Sequence, residues 1–238
     1  MRQHLKNAWV KIRVFKNFVG NALRFENNQR CNAASKAFLG DAEQYDLQVG
    51  PDITVAHITL RDAANKVAAL VEDPTRTEVQ KHEAAAILAE RTIAQLAKSK
   101  AAIEARAENL YNTGLTQAQM QFAPSAERGA LDSEIRAYIR EQAGKGEGLL
   151  KIRQAMEDKA VAAVVFHSPS FLLDIAPENL TKLRFEATER HVPAAYKMMT
   201  DSVALRELPA KYDKTISAVR SSFYLPTVAA EAAKRVQV

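Results

Sequence analysis

Histidine, serine, cysteine and carboxylate side chains are the groups in this sequence that could carry catalysis or bind a metal. No two of the histidines are separated by four residues, the spacing that places two imidazoles on one helix face toward a metal. The histidines are His4, His57, His82, His167 and His191. Cys31 is the single cysteine, which excludes an internal disulfide and a cysteine-rich zinc site. The sequence therefore predicts neither a metal site nor a cofactor.

The residues around Ser168 include the side-chain types of a nucleophilic triad. His167 precedes this serine and Asp174 follows it, but the segment lacks a Gly-x-Ser-x-Gly elbow and any glycine that would bring an oxyanion donor close. We interpret Ser168 instead as the N-cap of a helix that begins at Pro169.

Two other motifs fail the geometric requirements of catalysis or phosphate binding. Glu189 and His191 are two residues apart, so on a helix their side chains point to different faces. Residues 144–148 alternate glycine with Lys145 and Glu147, but no strand pattern precedes them and no serine or threonine follows the lysine. A flexible connection between helices explains this segment better, and we predict that the protein is not an enzyme.

Composition predicts an all-α fold. Of the 238 residues, 47% are hydrophobic and 26% charged, which fits one or two folded domains. Alanine supplies 42 residues, and glycine is absent from 51–113 and from 149–238. Because alanine favours helices and allows them to approach closely, we expect helices packed on helices. No apolar run is long enough to span a bilayer and no secretory signal follows Met1, so we expect neither a transmembrane nor a secreted protein.

The positive charge is concentrated in residues 1–30. Seven basic residues and one acid give this segment a net charge of +6, which leaves −1 for residues 31–238 of a chain whose total is +5. The six basic residues that we expect to contact nucleic acid or a partner are Arg2, Lys6, Lys11, Arg13, Lys16 and Arg24. Such asymmetry is typical of an arm that binds an anionic polymer or surface.

Apolar residues in the same segment recur at a helical spacing. They are Leu5, Trp9, Ile12, Phe15, Val19 and Leu23. The arm is therefore predicted to form a basic amphipathic helix. Four interpretations stay open: the helix docks on the protein's own body, contacts phosphates, binds a partner or another copy, or lies on a membrane surface.

Residues 31–114 are predicted to form a long helical hairpin. Its first helix spans 52–72 with Asp52 as N-cap, and the alternative is a short β-hairpin that pairs 45–49 with 53–57. A capping box over residues 75–78 is expected to start the second helix, which continues until Gly114 interrupts it.

The second helix carries an alanine-rich heptad seam. Its principal apolar positions are Val79, Ala86, Ile93, Leu96, Ile103 and Leu110. His82 and Lys100 occupy the two polar seam positions. The seam fits packing against the first helix, and an intermolecular coiled coil is the alternative. We interpret His82 as a buried neutral imidazole, with a pH-dependent switch as the lesser alternative.

Residues 115–131 are predicted to be a linker, and residues 132–238 a bundle of short helices. Asp132 is expected to cap the first of them. Later helices are expected to begin at prolines, which lack an N–H and are tolerated in a first helical turn. These prolines are Pro169, Pro177, Pro193, Pro209 and Pro226.

Four short segments resemble uncharacterised helical proteins encoded among the structural genes of tailed bacteriophages and prophages. They are Glu-Ile-Arg at 134–136, Met-Glu-Asp at 156–158, Ser-Pro-Ser-Phe-Leu at 168–172 and Glu-Arg-His-Val-Pro at 189–193. This sequence departs from that pattern at Asp158-Lys159, where those proteins have a Gly-Asp turn. The resemblance implies a setting, a phage particle or its assembly, and it carries over no activity or binding residue.

The sequence thus favours a non-enzymatic structural or assembly protein that acts through helix–helix association. In the phage setting it would be a virion component or assembly factor, would form homo-oligomers and contact other virion proteins, and would be found in the virion or the host cytoplasm. The alternative function is a nucleic-acid-binding module that uses the basic arm without reading sequence.

Overall fold

The computed structural model describes residues 38–45 and 49–232, and within these residues the regular structure is entirely helical. The predicted all-α class is therefore confirmed. The predicted basic arm lies outside the described residues. The helices in chain order are α1 (Gly50–Glu72), α2 (Glu78–Gln121), α3 (Gly129–Ala143), α4 (Gly148–Ala155), α5 (Lys159–His167), α6 (Ser170–Leu173), α7 (Pro177–His191), α8 (Pro193–Leu205), α9 (Leu208–Phe223) and α10 (Pro226–Ala232).

The helices form two compact units. We call the first the terminal unit, because it combines the described residues up to Arg106 with those from Ala204 onward. The second, the central unit, comprises Ala107–Val203. This division differs from the predicted domains, since α9 and α10 belong with the first half of the chain.

Helix α1 forms where the sequence predicts a helix, but it begins earlier than expected. It starts at Gly50 with Pro51 in its first turn, where the missing N–H of proline leaves no hydrogen bond unmade. Asp52 therefore lies inside the first turn, and its assignment as N-cap was wrong. The alternative β-hairpin was also wrong, because residues 53–57 are helical.

A capping box starts helix α2, two residues later than predicted. The Gln80 side chain accepts a hydrogen bond from the Thr77 backbone N–H at 2.9 Å, and the Gln80 N–H donates to Thr77 Oγ1 at 3.4 Å. Thr75 is instead held by Asp73, whose Oδ1 accepts from the Thr75 N–H at 2.8 Å. The predicted box at 75–78 is thus corrected to 77–80.

Helix α2 continues through Gly114 to Gln121, so the predicted helix end and the first part of the predicted linker were wrong. The glycine has a packing role. A Cβ atom at this position would lie 2.8 Å from the backbone oxygen of Ala195 and 2.9 Å from Cγ of Met199. Glycine therefore allows α8 to approach α2 closely, and this benefit outweighs its low helix propensity.

The apolar seam of α2 is buried within a single chain. Leu96 and Ile103 are fully buried, Ile93 and Leu110 nearly so, and Val79 and Ala86 partly. Helix α1 presents a matching buried face at heptad spacing, formed by Ile53, Ala56, Leu60, Ala63 and Val67. The Lys81 ammonium donates to the carbonyl of Val71 at 3.1 Å near the hairpin connection.

Helix α9 and the turn after it contact the two polar seam positions. The Lys100 ammonium donates to both carboxylate oxygens of Asp213, at 2.8 and 2.9 Å. Nδ1 of His82 accepts a hydrogen bond from the backbone N–H of Leu225 at 3.2 Å. Asp213 contacts Lys100, and the later residue Leu225 contacts the earlier residue His82, so α9 runs antiparallel to α2. The chain's own C-terminal segment therefore contacts the seam at two positions, and the end of α1 contacts the start of α2.

The central unit is a bundle of short helices around a continuous apolar core. Phe122, Ile139, Ile152, Met156 and Leu173 are among its most buried side chains. Several of its helices begin at a capping residue or a proline soon after the preceding helix ends. Asp158, for example, caps α5 by accepting from the Ala160 N–H.

The prolines mark helix starts as predicted, with one exception. Pro177, Pro193 and Pro226 are first residues of helices, and Pro209 is the second residue of α9. Pro169 is itself the N-cap of α6, without a side-chain cap, so the predicted capping role of Ser168 was wrong.

The predicted cap at Asp132 was also wrong. Helix α3 already begins at Gly129, which places Asp132 inside its first turn, where the carboxylate is nearly buried. Its Oδ1 lies 3.5 Å from Nη2 of Arg128, one turn earlier.

Replacement of Leu96 by aspartate should lower the free energy of unfolding by roughly 3–5 kcal/mol, because it places an unpaired charge in a fully buried position. Ala97→Asp is the matched control, since Ala97 is exposed on the next residue of the same helix. Urea denaturation checks both variants. Equal stability of the two would mean that the seam faces solvent.

Gly114→Ala should also destabilise the protein, by about 1–3 kcal/mol, because overpacking against α8 exceeds the roughly 1 kcal/mol that alanine gains in helix propensity. Gly129→Ala serves as control, since its Cβ would have no heavy atom within 4 Å apart from its chain neighbours and the backbone of its own helix. We expect that variant to match the wild type or exceed it slightly in thermal unfolding. A stabilised Gly114→Ala would contradict the close approach of α2 and α8.

Candidate functional site

A cavity of about 680 Å³ lies within the central unit. It is lined by side chains from α2, from the end of α5, and from α7 and α8. The lining residues are Tyr111, Leu115, Gln119, Phe166, His167, Thr181, Arg184, Phe185, Thr188 and Met199. Its size falls within the range of small-molecule binding sites, about 300–1,000 Å³.

Helix α7 forms the polar wall of this cavity. Thr181, Arg184, Phe185 and Thr188 follow the spacing i, i+3, i+4 and i+7, which places them on one helix face. The Thr188 hydroxyl is buried and donates to the carbonyl of Arg184 at 2.8 Å. The threonine therefore turns its polar atom toward the helix backbone.

Arg184 is the charged group of the wall. Its Nη2 donates to the backbone carbonyl of Ser168 at 2.8 Å, which fixes the guanidinium in place. Its Nε is buried and has no hydrogen-bond partner. Burial lowers the pKa of Arg184 below its usual value, but an arginine remains protonated at neutral pH. None of the residues that line the cavity is a carboxylate.

Aromatic and apolar side chains form the rest of the lining. The ring centroids of Phe166 and Phe122 are 4.9 Å apart. The ring of His167 lies edge-on to that of Phe166, with centroids 5.4 Å apart. Tyr111 and Leu115 project from one face of α2. These contacts anchor the aromatic wall in the core of the unit.

A second feature of the central unit is a set of exposed apolar side chains on α3 and α6, which we call the Phe171 surface. It consists of Leu131, Tyr138, Phe171 and Leu172, and Phe171 is 78% exposed. Helices α3 and α6 contact each other, and Nη1 of Arg140 donates to the Leu172 carbonyl at 3.1 Å. The structure thus brings apolar groups from separate parts of the sequence onto neighbouring helices.

Of the residues that resembled catalytic groups, His191 and Ser168 form hydrogen bonds through or to the backbone, and Glu189 and Asp174 are exposed. Nε2 of His191 is hydrogen-bonded to the carbonyl of Met156 at 2.7 Å, and Glu189 is exposed. Ser168 is buried and supplies the carbonyl that holds Arg184. Asp174 is exposed and ends α6 in a left-handed conformation, with φ 54°.

The six basic residues predicted to contact nucleic acid or a partner lie outside the described residues. In the part of the chain that the structure describes, metal-ligating side chains form no cluster of three or more. Nor does a helix of those residues combine the length and apolar character that crossing a bilayer requires.

The sequence did not predict the cavity or the position of Arg184 in its wall. One signal was present: Arg184 follows the buried Leu183 on a helix whose core face also includes Leu180 and Ala187. A basic residue at the border of an apolar stripe is also common on solvated helices, so the pattern alone did not distinguish the two cases. The chain matches no protein-family model, and it matches no curated protein and no solved structure.

The imidazole of His82 is the buried titratable group of the seam. Burial lowers its pKa, and the neighbouring Glu78 partly opposes this effect. The bond from the Leu225 N–H requires an unprotonated Nδ1. The folded state therefore favours the neutral form, as expected for a buried seam histidine.

Stability should consequently fall as the pH is lowered from about 7 to 5. His82 has a lower pKa in the folded chain than in the unfolded one, so its contribution is present above the unfolded value and is lost on acidification. His82→Asn keeps an acceptor but does not titrate, and its melting temperature should depend less on pH. His167→Asn, at an exposed position, should retain the wild-type dependence. Identical pH profiles for wild type and His82→Asn would refute this assignment.

Proposed function

We propose that the protein is a non-enzymatic assembly component that forms homo-oligomers through exposed apolar helix surface. The observation that carries this proposal is the Phe171 surface. Large apolar side chains that are exposed close together often mark a binding surface. Here Phe171 and Leu172 are exposed on α6, and Leu131 and Tyr138 are exposed on the adjoining helix α3.

The burial of the α2 seam favours assembly through a different surface. An intermolecular coiled coil through the seam would require α2 to leave α1 and α9, breaking the Lys100–Asp213 pair and exposing Leu96 and Ile103. The Phe171 surface needs no such rearrangement. Oligomers formed through α3 and α6 would therefore add burial without unfolding the monomer.

The setting that we propose is a tailed-phage particle or its assembly, in the virion or the host cytoplasm. Support comes from the resemblance of residues 134–136, 156–158, 168–172 and 189–193 to proteins of phage structural genes. The third of these segments includes Phe171 and Leu172, so the resemblance overlaps the apolar surface. Other virion proteins would then be the partners besides further copies of the chain.

The basic arm supports an alternative function, sequence-nonspecific binding of nucleic acid. Residues 1–30 carry a net charge of +6, whereas the rest of the chain carries −1. Phosphate contacts release counterions from a duplex, so an arm of this charge contributes affinity that depends on salt.

Replacement of Phe171 by aspartate should dissociate the oligomer, because it places a charge at the most exposed apolar side chain of this surface. Light scattering should show a multiple of 26.3 kDa for the wild type and 26.3 kDa for the variant. Val203→Asp is the control, since Val203 is exposed on α8, apart from this surface, and should leave the mass unchanged. A wild-type protein that is monomeric at micromolar concentrations would refute assembly through this surface.

Deletion of residues 1–30 tests the alternative. If the arm contacts about five phosphates, the logarithm of the affinity for duplex DNA should fall with the logarithm of salt concentration with a slope of about −4.5. Fluorescence anisotropy of a labelled duplex measures this slope, and the deletion should abolish binding. Affinity that is independent of salt, or that survives the deletion, would refute a role of the arm in nucleic-acid binding.

A further inference from the structure

We propose that the cavity of the central unit binds a small organic monoanion that carries an aromatic or branched aliphatic body. The anionic group pairs with the guanidinium of Arg184, and the body lies against the aromatic and apolar lining. This site is separate from the Phe171 surface, so the proposal stands independently of the assembly function.

The charge of the cavity wall favours an anion. Arg184 lines a cavity whose other lining residues include no carboxylate, so the guanidinium charge is not neutralised there. The side chain is half-buried, and its Nε lacks a hydrogen-bond partner. A partly buried, uncompensated cation is unfavourable, and an anion that enters the cavity offsets this cost.

The guanidinium is held in place before any ligand arrives. Its Nη2 donates to the carbonyl of Ser168, and Ser168 is itself buried next to the start of α6. Because the arginine has five N–H donors, this bond leaves other donors for a ligand. A guanidinium whose orientation is already fixed loses little conformational entropy on binding.

The number of cations in the wall limits the charge of the ligand. Arg184 supplies one fixed positive charge, and the exposed His167 is the other basic residue of the lining. A phosphate dianion would need more cations or a set of backbone N–H groups. A carboxylate or sulfonate, with one negative charge and oxygens that fit a guanidinium, matches the site better.

The remaining lining is suited to an apolar body. Four apolar residues line the cavity together with the arginine: Leu115, Phe166, Phe185 and Met199. A volume of about 680 Å³ exceeds what a simple inorganic ion fills and is within the range for drug-sized molecules. Aromatic walls with one positioned charge are typical of sites that recognise amphipathic small molecules.

Two fluorescent probes that share one apolar body test the proposal. The first, 8-anilinonaphthalene-1-sulfonate, carries a sulfonate, and N-phenyl-1-naphthylamine is its uncharged analogue. We expect the full-length protein to bind one sulfonate probe per chain at least about tenfold more tightly than the neutral probe, since a charge-assisted bond contributes at least that factor. Equal affinities for the two probes would overturn the role of charge.

Substitutions then locate the site. Arg184→Gln should remove the preference for the sulfonate and leave binding of the neutral probe within about twofold. Arg190→Gln is the matched control, because Arg190 lies on the same helix and also donates to a backbone carbonyl, that of Arg153 at 3.0 Å, but does not line the cavity. An equal loss in both variants, or no loss in either, would overturn the assignment.

If Arg184→Gln does not fold, two other variants test whether the probes bind in the cavity. Thr181 is exposed at the edge of the cavity, so Thr181→Trp should block entry and weaken binding of both probes. Phe171→Asp removes the main exposed apolar group and should leave both affinities unchanged. Binding that survives Thr181→Trp but disappears with Phe171→Asp would assign the probes to the exposed surface and refute the cavity site.

Discussion

The closure of the α2 seam by the C-terminal segment is the interaction on which the terminal unit depends. The apolar face of helix α2 is longer than α1, so α1 alone cannot cover it. Helix α9 is a second helix that lies against this face. The two polar seam positions show how the register is set. Lys100 pairs with Asp213, and His82 accepts a hydrogen bond from the Leu225 N–H. Each polar group therefore has one specific partner, whereas an apolar residue at the same position could pack against many. Such polar pairs fix the register between two helices more than they add to the free energy of unfolding.

In the central unit the corresponding constraint is the close approach of α2 and α8 at Gly114. Without a side chain at this position, the backbone of Ala195 can pack against α2. The same two helices contribute Tyr111, Leu115 and Met199 to the cavity. Gly114, which weakens the helix locally, thus allows the helix packing that surrounds the cavity.

Local sequence patterns were sufficient to predict most of the helices, but they did not predict that α9 would contact the seam of α2. The recurrence of Ile53, Leu60 and Val67 by sevens predicted α1, and proline positions predicted most later helix starts. The choice of α9 as a partner of the seam depends on residues more than a hundred positions apart, which no local period encodes. Gly114 was misread for the same reason, because its role is a tertiary contact and the local rule predicts a helix end.

The candidate sites were harder to predict than the fold. The residues that line the cavity come from four separate helices. No local sequence pattern therefore identifies the cavity around Arg184. The Phe171 surface was partly visible in the sequence, since Ser168–Leu172 belongs to the phage-like resemblance, but its exposure depends on how α6 packs against α3. Both proposed sites thus depend on tertiary structure.

The central claim, that the chain closes its own seam, is tested most directly by cross-linking. Lys100→Cys and Asp213→Cys would be combined with Cys31→Ser and treated with a short bismaleimide reagent. Because the two side chains form an ion pair at 2.8 Å, we expect a cross-link between positions 100 and 213 in a product with the mass of one chain, 26.3 kDa. Covalent dimers as the main product, with that link between two chains, would contradict the account.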